Sequence, residues 1–204
     1  MKRFLTGLAG LALMAGPAAP AVYAAAEVGK PAPDFSLEAS DGKAHRLSDH
    51  LGEFVVLEWY NKSCPFVKKH YGSGNMQKLQ GTYLHKGVTW FSIISSAPGK
   101  EGYLTRREAV KNRIDSKIRS TATLFDPEGV AGRAYGAKVT PHMFIIDPKG
   151  AVIYAGAIDS HNSPDPADIP SSTNYVAQAL DQALAGRPVT TPSTTPYGCS
   201  IKYK

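Results

Sequence analysis

EFVVLEWYNKSCPFVKKHY, residues 53–71, decides how the rest of the chain is read. Residues 53–60 are mostly β-branched, aliphatic and aromatic, with no strict alternation. That pattern predicts a central strand buried on both faces. Pro65 then suits the first turn of a helix, where its missing N–H would have no partner anyway. A helix is expected from Pro65 to about Tyr83, with Val67, Tyr71, Met76, Leu79 and Tyr83 facing the sheet and Gly72 and Gly74 loosening it. Cys64 thus falls at a strand-to-helix junction. Backbone N–H groups and the helix dipole favour an anion there, so a cysteine so placed is a nucleophile near neutral pH. Only one other cysteine exists, Cys199, five residues from the end.

Working outward, residues 87–97, 121–126, 142–147 and 151–158 read as further strands. Asp147-Pro148-Lys149-Gly150 has the turn chemistry to join the last two as a hairpin. Helices are expected over 103–114, 130–135 and 174–185, the last with Gly186 as its stop and Pro188 beyond. Towards the N-terminus, a short strand at 35–38 leads to a turn at Asp41-Gly42. Strands alternating with helices, then a hairpin and a final helix, predict an α/β domain with helices on both faces of a mixed sheet. The tail from Thr190 to Lys204 has no core pattern, and no internal repeat is visible.

The ends bound the setting. Lys2-Arg3, an apolar run from Phe4 to Ala15 and the Ala-rich stretch VYAAA form a secretory leader, with cleavage expected near Ala24, Ala25 or Ala26. The run is too short for a stable membrane span; an uncleaved N-terminal anchor is the alternative. Residues 1–26 are therefore read as a signal peptide, 27–188 as one domain and 189–204 as a tail carrying Cys199. Loss of Lys2 and Arg3 takes the net charge from +6 to +4. The remaining cations are dispersed and read as a solvated face, which argues against a nucleic-acid partner. A secreted or periplasmic location permits disulfides, so the two cysteines are either a structural staple or a catalytic couple.

Four stretches resemble the thioredoxin-like redoxin (AhpC/TSA-related) family: VGKPAPDFSLEASDGK at 28–43, WYNKSCPFVKK at 59–69, YGAKVTPHMFIIDPKGAVIYAGAID at 135–159 and TPYGCSIKY at 195–203. The resemblance implies a three-layer α/β/α thioredoxin-like fold around a central mixed sheet. It also implies a cis-proline at Pro141 lying against the sulfur of Cys64, and thiol oxidoreductase activity with no cofactor. Two departures stand out. The first cysteine of the family's C-x-x-C site, or the threonine of the peroxiredoxin T-x-x-C site, is Asn61 here. The position of the peroxiredoxins' supporting arginine is held by Pro141.

On this reading Cys64 is the nucleophile and Cys199 either its resolving partner or a fixed staple. Asn61 offers its amide to the thiolate or simply makes a turn. Trp59, Thr140 and His142 are expected to shape the substrate surface, with His142 either assisting proton transfer or structural. Glu58 is either a buried carboxylate serving as proton acceptor or, more simply, an exposed strand-end carboxylate. Cys64 with His70 lacks the second nearby cysteine of a copper set, so no metal is assigned. The expected partners are a peroxide or a protein disulfide or thiol, with a thiol electron donor. The alternative is a non-catalytic thioredoxin-fold scaffold stapled by Cys64–Cys199.

Overall fold

The computed structural model describes residues 25–204. All but the last two residues of the expected leader lie outside the described residues. The elements run β1 (Ser36–Glu38), β2 (Ala44–Arg46), β3 (Val55–Trp59), α1 (Pro65–Gly72), α2 (Asn75–Leu84), β4 (Thr89–Ile94) and α3 (Arg106–Asp115). There follow β5 (Ala122–Phe125), α4 (Val130–Ala134), β6 (Val139–Thr140), β7 (His142–Ile146), β8 (Val152–Gly156), α5 (Tyr175–Leu184) and β9 (Cys199–Ser200).

The central sheet has the order β5-β4-β3-β7-β8. β3, β4 and β5 are parallel, while β7 is antiparallel to both β3 and β8. β3 sits in the middle with all five residues buried, as its unalternating composition requires. Successive side chains on a strand point to opposite faces. Val56 accordingly joins a core built with α1, α2, α3 and α5, and Val55, Leu57 and Trp59 join a second core under the β1–β2 hairpin and α4. The result is a thioredoxin-like three-layer α/β/α fold. Each large apolar side chain buried between these layers contributes roughly 1.5–3 kcal/mol.

One expectation is corrected. The single helix from Pro65 to Tyr83 is two helices. Ser73 Oγ donates to the Lys69 and His70 carbonyls, and Gly74 takes a left-handed conformation (φ 78°), so α1 stops and α2 restarts at Asn75. The tail, which shows no apolar periodicity, is nevertheless packed along its length. Residues 192–194 hydrogen-bond to Ala155, Tyr197 is buried, β9 pairs with β6, and Tyr203 lies over Gly129 and Gly132, where a Cβ would have no room.

Candidate active site

The sheet topology brings the site together. Because β7 runs antiparallel to β3, the last residue of β3 lies opposite the first of β7, Trp59 against His142. The loop that leaves β3 and the loop that enters β7 therefore meet at one end of the sheet. Cys64 caps α1 in extended conformation, with its amide donating to the Asn61 carbonyl at 3.1 Å and its carbonyl accepting from Lys68 at 2.9 Å. Pro65 holds the first helical position. The Cys64 thiol is fully buried and donates to the Thr140 carbonyl at 3.0 Å. The Thr140–Pro141 peptide is cis.

That carbonyl belongs to β6, a two-residue strand whose partner is β9. In the antiparallel register Thr140 faces Cys199 and Val139 faces Ser200. Thr140 Oγ1 also donates to the Cys199 carbonyl at 3.4 Å. Cys64 and Cys199, 135 positions apart in sequence, thus sit on either side of one residue, and both are thiols in this structure. Burial pushes the Cys199 thiol up to about 12, helped by a hydrogen bond with the Cys64 sulfur and by that sulfur's charge. Gly198 lets the tail come this close. Its φ is +135°, and a Cβ there would run into the Thr140 carbonyl.

The other expected residues fall in different places. Asn61 is buried and its side-chain oxygen accepts from the Ser63 amide at 2.8 Å, so that oxygen is spent on the turn. Gly102 packs so tightly on it that a Cβ would lie 2.6 Å from Asn61 Cγ. Trp59 is not on the surface. It is fully buried, and its indole N–H donates to Ser95 Oγ at 3.0 Å, which donates in turn to Asp126. His142 is buried against Phe144. Burial, then the charge of Lys138, lowers its pKa to about 4, so at neutral pH it is an uncharged ring. His70 turns away from Cys64: its Nδ1 meets Asn75 at 2.8 Å and its Nε2 faces Asp159. Among the described residues no group of three or more His, Cys, Asp or Glu is placed to hold a metal.

Of the two readings of Glu58, the exposed strand-end carboxylate is overturned, because the side chain is wholly buried. Tyr71 donates to it at 2.8 Å, Trp90 at 2.9 Å and Gln80 at 3.2 Å. Burial raises its pKa to about 7 against the pull of those donors. Residues whose role the sequence did not announce are Gly198, Tyr197 and Asp159. The Tyr-Gly-Cys order just before the chain end is the one local signal, since a glycine beside a cysteine marks close backbone approach.

A buried thiol at the first turn of a helix, facing a cis-proline loop and a second cysteine on a thioredoxin-like sheet, defines the class of thiol oxidoreductases. The chain belongs to the AhpC/TSA family, whose family model matches residues 28–155. It is 28% identical over 127 residues to the thiol-disulfide oxidoreductase ResA of Bacillus thuringiensis subsp. konkukian, covering 62% of this chain and 68% of that protein. Among solved structures it resembles an uncharacterised conserved protein from Geobacillus kaustophilus at 30% identity and a TM-score of 0.76, covering 87% of this chain and 93% of that one. It also resembles a putative thiol:disulfide interchange protein DsbE from Chlorobium tepidum at 27% identity and a TM-score of 0.58, over 78% of this chain and 99% of that one.

Proposed function

We propose that the protein is an exported thiol oxidoreductase that cycles between a Cys64/Cys199 dithiol and a Cys64–Cys199 disulfide, exchanging electrons with a disulfide substrate. The observation that carries this reading is the pairing of Cys199 opposite Thr140, the residue whose carbonyl holds the Cys64 thiol. The Cys64 thiolate attacks one sulfur of the substrate disulfide. That S–S bond breaks, a substrate thiolate leaves, and a mixed disulfide forms. Cys199 gives its proton to the departing thiolate and attacks Cys64 Sγ. The second substrate thiolate leaves as the intramolecular bond closes, so the substrate gains the two electrons the dithiol loses. A thiol donor returns the protein to the dithiol.

The chemistry of Cys199 supports this order of events. Part of what raises its pKa is its hydrogen bond with Cys64 and the charge on that sulfur. Both disappear once Cys64 is covalently engaged, so Cys199 is quiescent before the first step and easier to ionise after it. The tail is also held by Tyr197 and Tyr203 with both thiols reduced, so it needs no staple to stay docked. That argues for a working couple over a scaffold disulfide. A second reading, peroxide reduction, is favoured by the complete burial of Cys64, which suits a small oxidant. There the O–O bond breaks, Cys64 becomes a sulfenic acid, and Cys199 closes the disulfide with loss of water.

The test is mass spectrometry after alkylation, before and after mild reduction and after adding either oxidant. A Cys64–Cys199 bond that opens with mild thiol and re-forms with a small disulfide supports exchange. Re-formation with peroxide alone selects the second reading. A bond that resists mild reduction returns the protein to the stapled-scaffold class, and thiols that never pair leave Cys64 without its partner and overturn the cycle. Export is tested by the intact mass of protein from the producing cell. A start just after Ala24, Ala25 or Ala26 supports a cleaved leader, and a full-length mass refutes it.

A further inference from the structure

Asp159, just beyond β8, is buried and sits between the two cysteine-bearing segments. Its Oδ1 accepts the hydroxyl of Tyr197, two residues before Cys199, and the His161 amide at 3.1 Å. Its Oδ2 lies 3.1 Å from Lys69 Nζ, a charge contact, and 3.7 Å from Nε2 of the neutral His70 ring, without an aligned hydrogen bond to either. Lys69 and His70 belong to α1, the helix that Cys64 caps, and both side chains are fully buried. Lys69 also donates to the His161 carbonyl at 3.1 Å and stands 5.9 Å from the centre of the Tyr197 ring. One carboxylate is thus the common reference for the helix of the nucleophile and the strand of its partner.

Stability does not explain such an arrangement. Taking a lysine and an aspartate out of water costs several kcal/mol per ion, and apolar side chains of the same volume usually hold a fold as well or better. What a buried ion pair supplies is a fixed position, because the opposite charges and the tyrosine hydroxyl all meet the carboxylate in one arrangement only.

We propose that Asp159, Lys69 and Tyr197 form a latch that positions Cys199 for attack on Cys64 once Cys64 has been oxidised. They are positioning residues for the resolving step. This rests on the dithiol–disulfide cycle above. The latch serves the second half-reaction alone: Cys64 attacks the oxidant without it, but closing the Cys64–Cys199 bond depends on Cys199 being held in reach. Intramolecular attack is fast because the partners are already placed, and a loosened tail forfeits that advantage.

The experiment follows the release of nitrothiobenzoate from dithiobis-nitrobenzoate by stopped flow, using the full mature chain. The first release reports attack by Cys64, as its loss in Cys64→Ser confirms. The second reports closure by Cys199, as its loss in Cys199→Ser confirms. In Tyr197→Phe the first release is expected within twofold of wild type and the second slowed on the order of tenfold. Added dithiothreitol should resolve the stalled intermediate of the variant as fast as that of wild type. Tyr203→Phe is the comparison for general tail loosening. It removes a hydroxyl bond to the Ala137 carbonyl (2.8 Å), but the backbone bonds of Ile201 and Lys202 lie between it and Cys199, so its closure should stay within twofold. Equal closure in Tyr197→Phe and wild type overturns the latch, as does equal slowing by Tyr203→Phe. Absence of a second release in wild type removes the resolving step itself and the latch with it.

Discussion

The two cysteines are held by different kinds of structure. Cys64 is placed by regular elements: a five-residue buried strand delivers it, an eight-residue helix begins at it, and the antiparallel pairing of β3 and β7 sets the loop opposite. Cys199 is placed by a tail whose strand is two residues long. Single side chains hold that tail, Tyr197 on Asp159 before the cysteine and Tyr203 over Gly129 and Gly132 after it. Regular elements draw their stability from many small apolar contacts and change little when one is lost. A strap held at isolated points is sensitive at those nearest the cysteine. The nucleophile should therefore tolerate substitution around it, while the partner's position should fail at single residues.

The largest effect should come from the pair that joins the two regions. Lys69→Met leaves Asp159 buried beside an apolar side chain, and loss of one partner of a buried ion pair costs roughly 3–5 kcal/mol. Chemical denaturation of Lys69→Met should show a loss of that size. The double change Lys69→Met with Asp159→Leu should recover most of it, because no orphan charge remains. If the single variant loses under about 1 kcal/mol, the pair is more solvated than its burial indicates.

Next in size is the carboxylate beneath the nucleophile's own half of the molecule. Glu58 titrates near 7 when folded but near 4.5 when unfolded. Between those values the folded chain keeps a proton the unfolded chain has lost. Its contribution to stability therefore falls as pH rises through that window, by about 3 kcal/mol in all. His70 and His142 work in the opposite direction. Burial holds both at about 4 instead of 6.5, so they are neutral when folded while the unfolded chain takes up protons, and stability is lost as pH falls from 6.5 towards 4. Glu58 offsets part of that loss. Glu58→Gln should be the more stable protein above pH 7 and should lose stability more steeply in acid. Parallel pH–stability curves for variant and wild type would mean that burial does not raise the Glu58 pKa above its ordinary value.

Much of the nucleophile's half was legible in the sequence, and the reason is physical. A strand buried on both faces, a proline at a helix start and a turn-flanked hairpin are local patterns, and Cys64 and Pro141 lie within them. The sequence leaves the burial of Glu58 open because its partners Tyr71, Gln80 and Trp90 are 13 to 32 positions away and no local pattern declares them. Lys69 looks like a solvated cation in the run Lys68-Lys69, yet the tail and the Asp159 loop cover that side of α1. The tail was the least legible part. Its order comes from pairings with distant single residues, which leave no periodicity behind.

Gly198 tests the strap's point sensitivity. A methyl group there would meet the Thr140 carbonyl, and φ of +135° is strained for any other residue. Gly198→Ala should lift β9 from β6 and slow closure on the order of a hundredfold, an effect equivalent to about 2.7 kcal/mol. The melting temperature should fall by only a few degrees, since the sheet and both cores lie elsewhere. Closure near the wild-type rate would show that the β6–β9 pairing is not what brings the cysteines together.

The smallest expected effect is on the other side of the comparison. Asn61 stands beside the nucleophile, three residues before it, and its side-chain oxygen closes the turn on the Ser63 amide. If that is its whole contribution, Asn61→Ala costs about 1 kcal/mol of stability, the usual worth of one such bond. The Cys64 amide still reaches the Asn61 backbone carbonyl, which the substitution leaves in place, so the thiol keeps its helix-capping position. The rate of Cys64 alkylation should then stay within about threefold of wild type. A fall beyond about tenfold, with the turn intact by amide exchange, would mean that the Asn61 side-chain N–H₂ takes part in the reaction itself. The contrast between a tolerant nucleophile and a fragile partner would then fail at its nearest neighbour, because one side chain next to Cys64 would matter as much as Gly198 does next to Cys199.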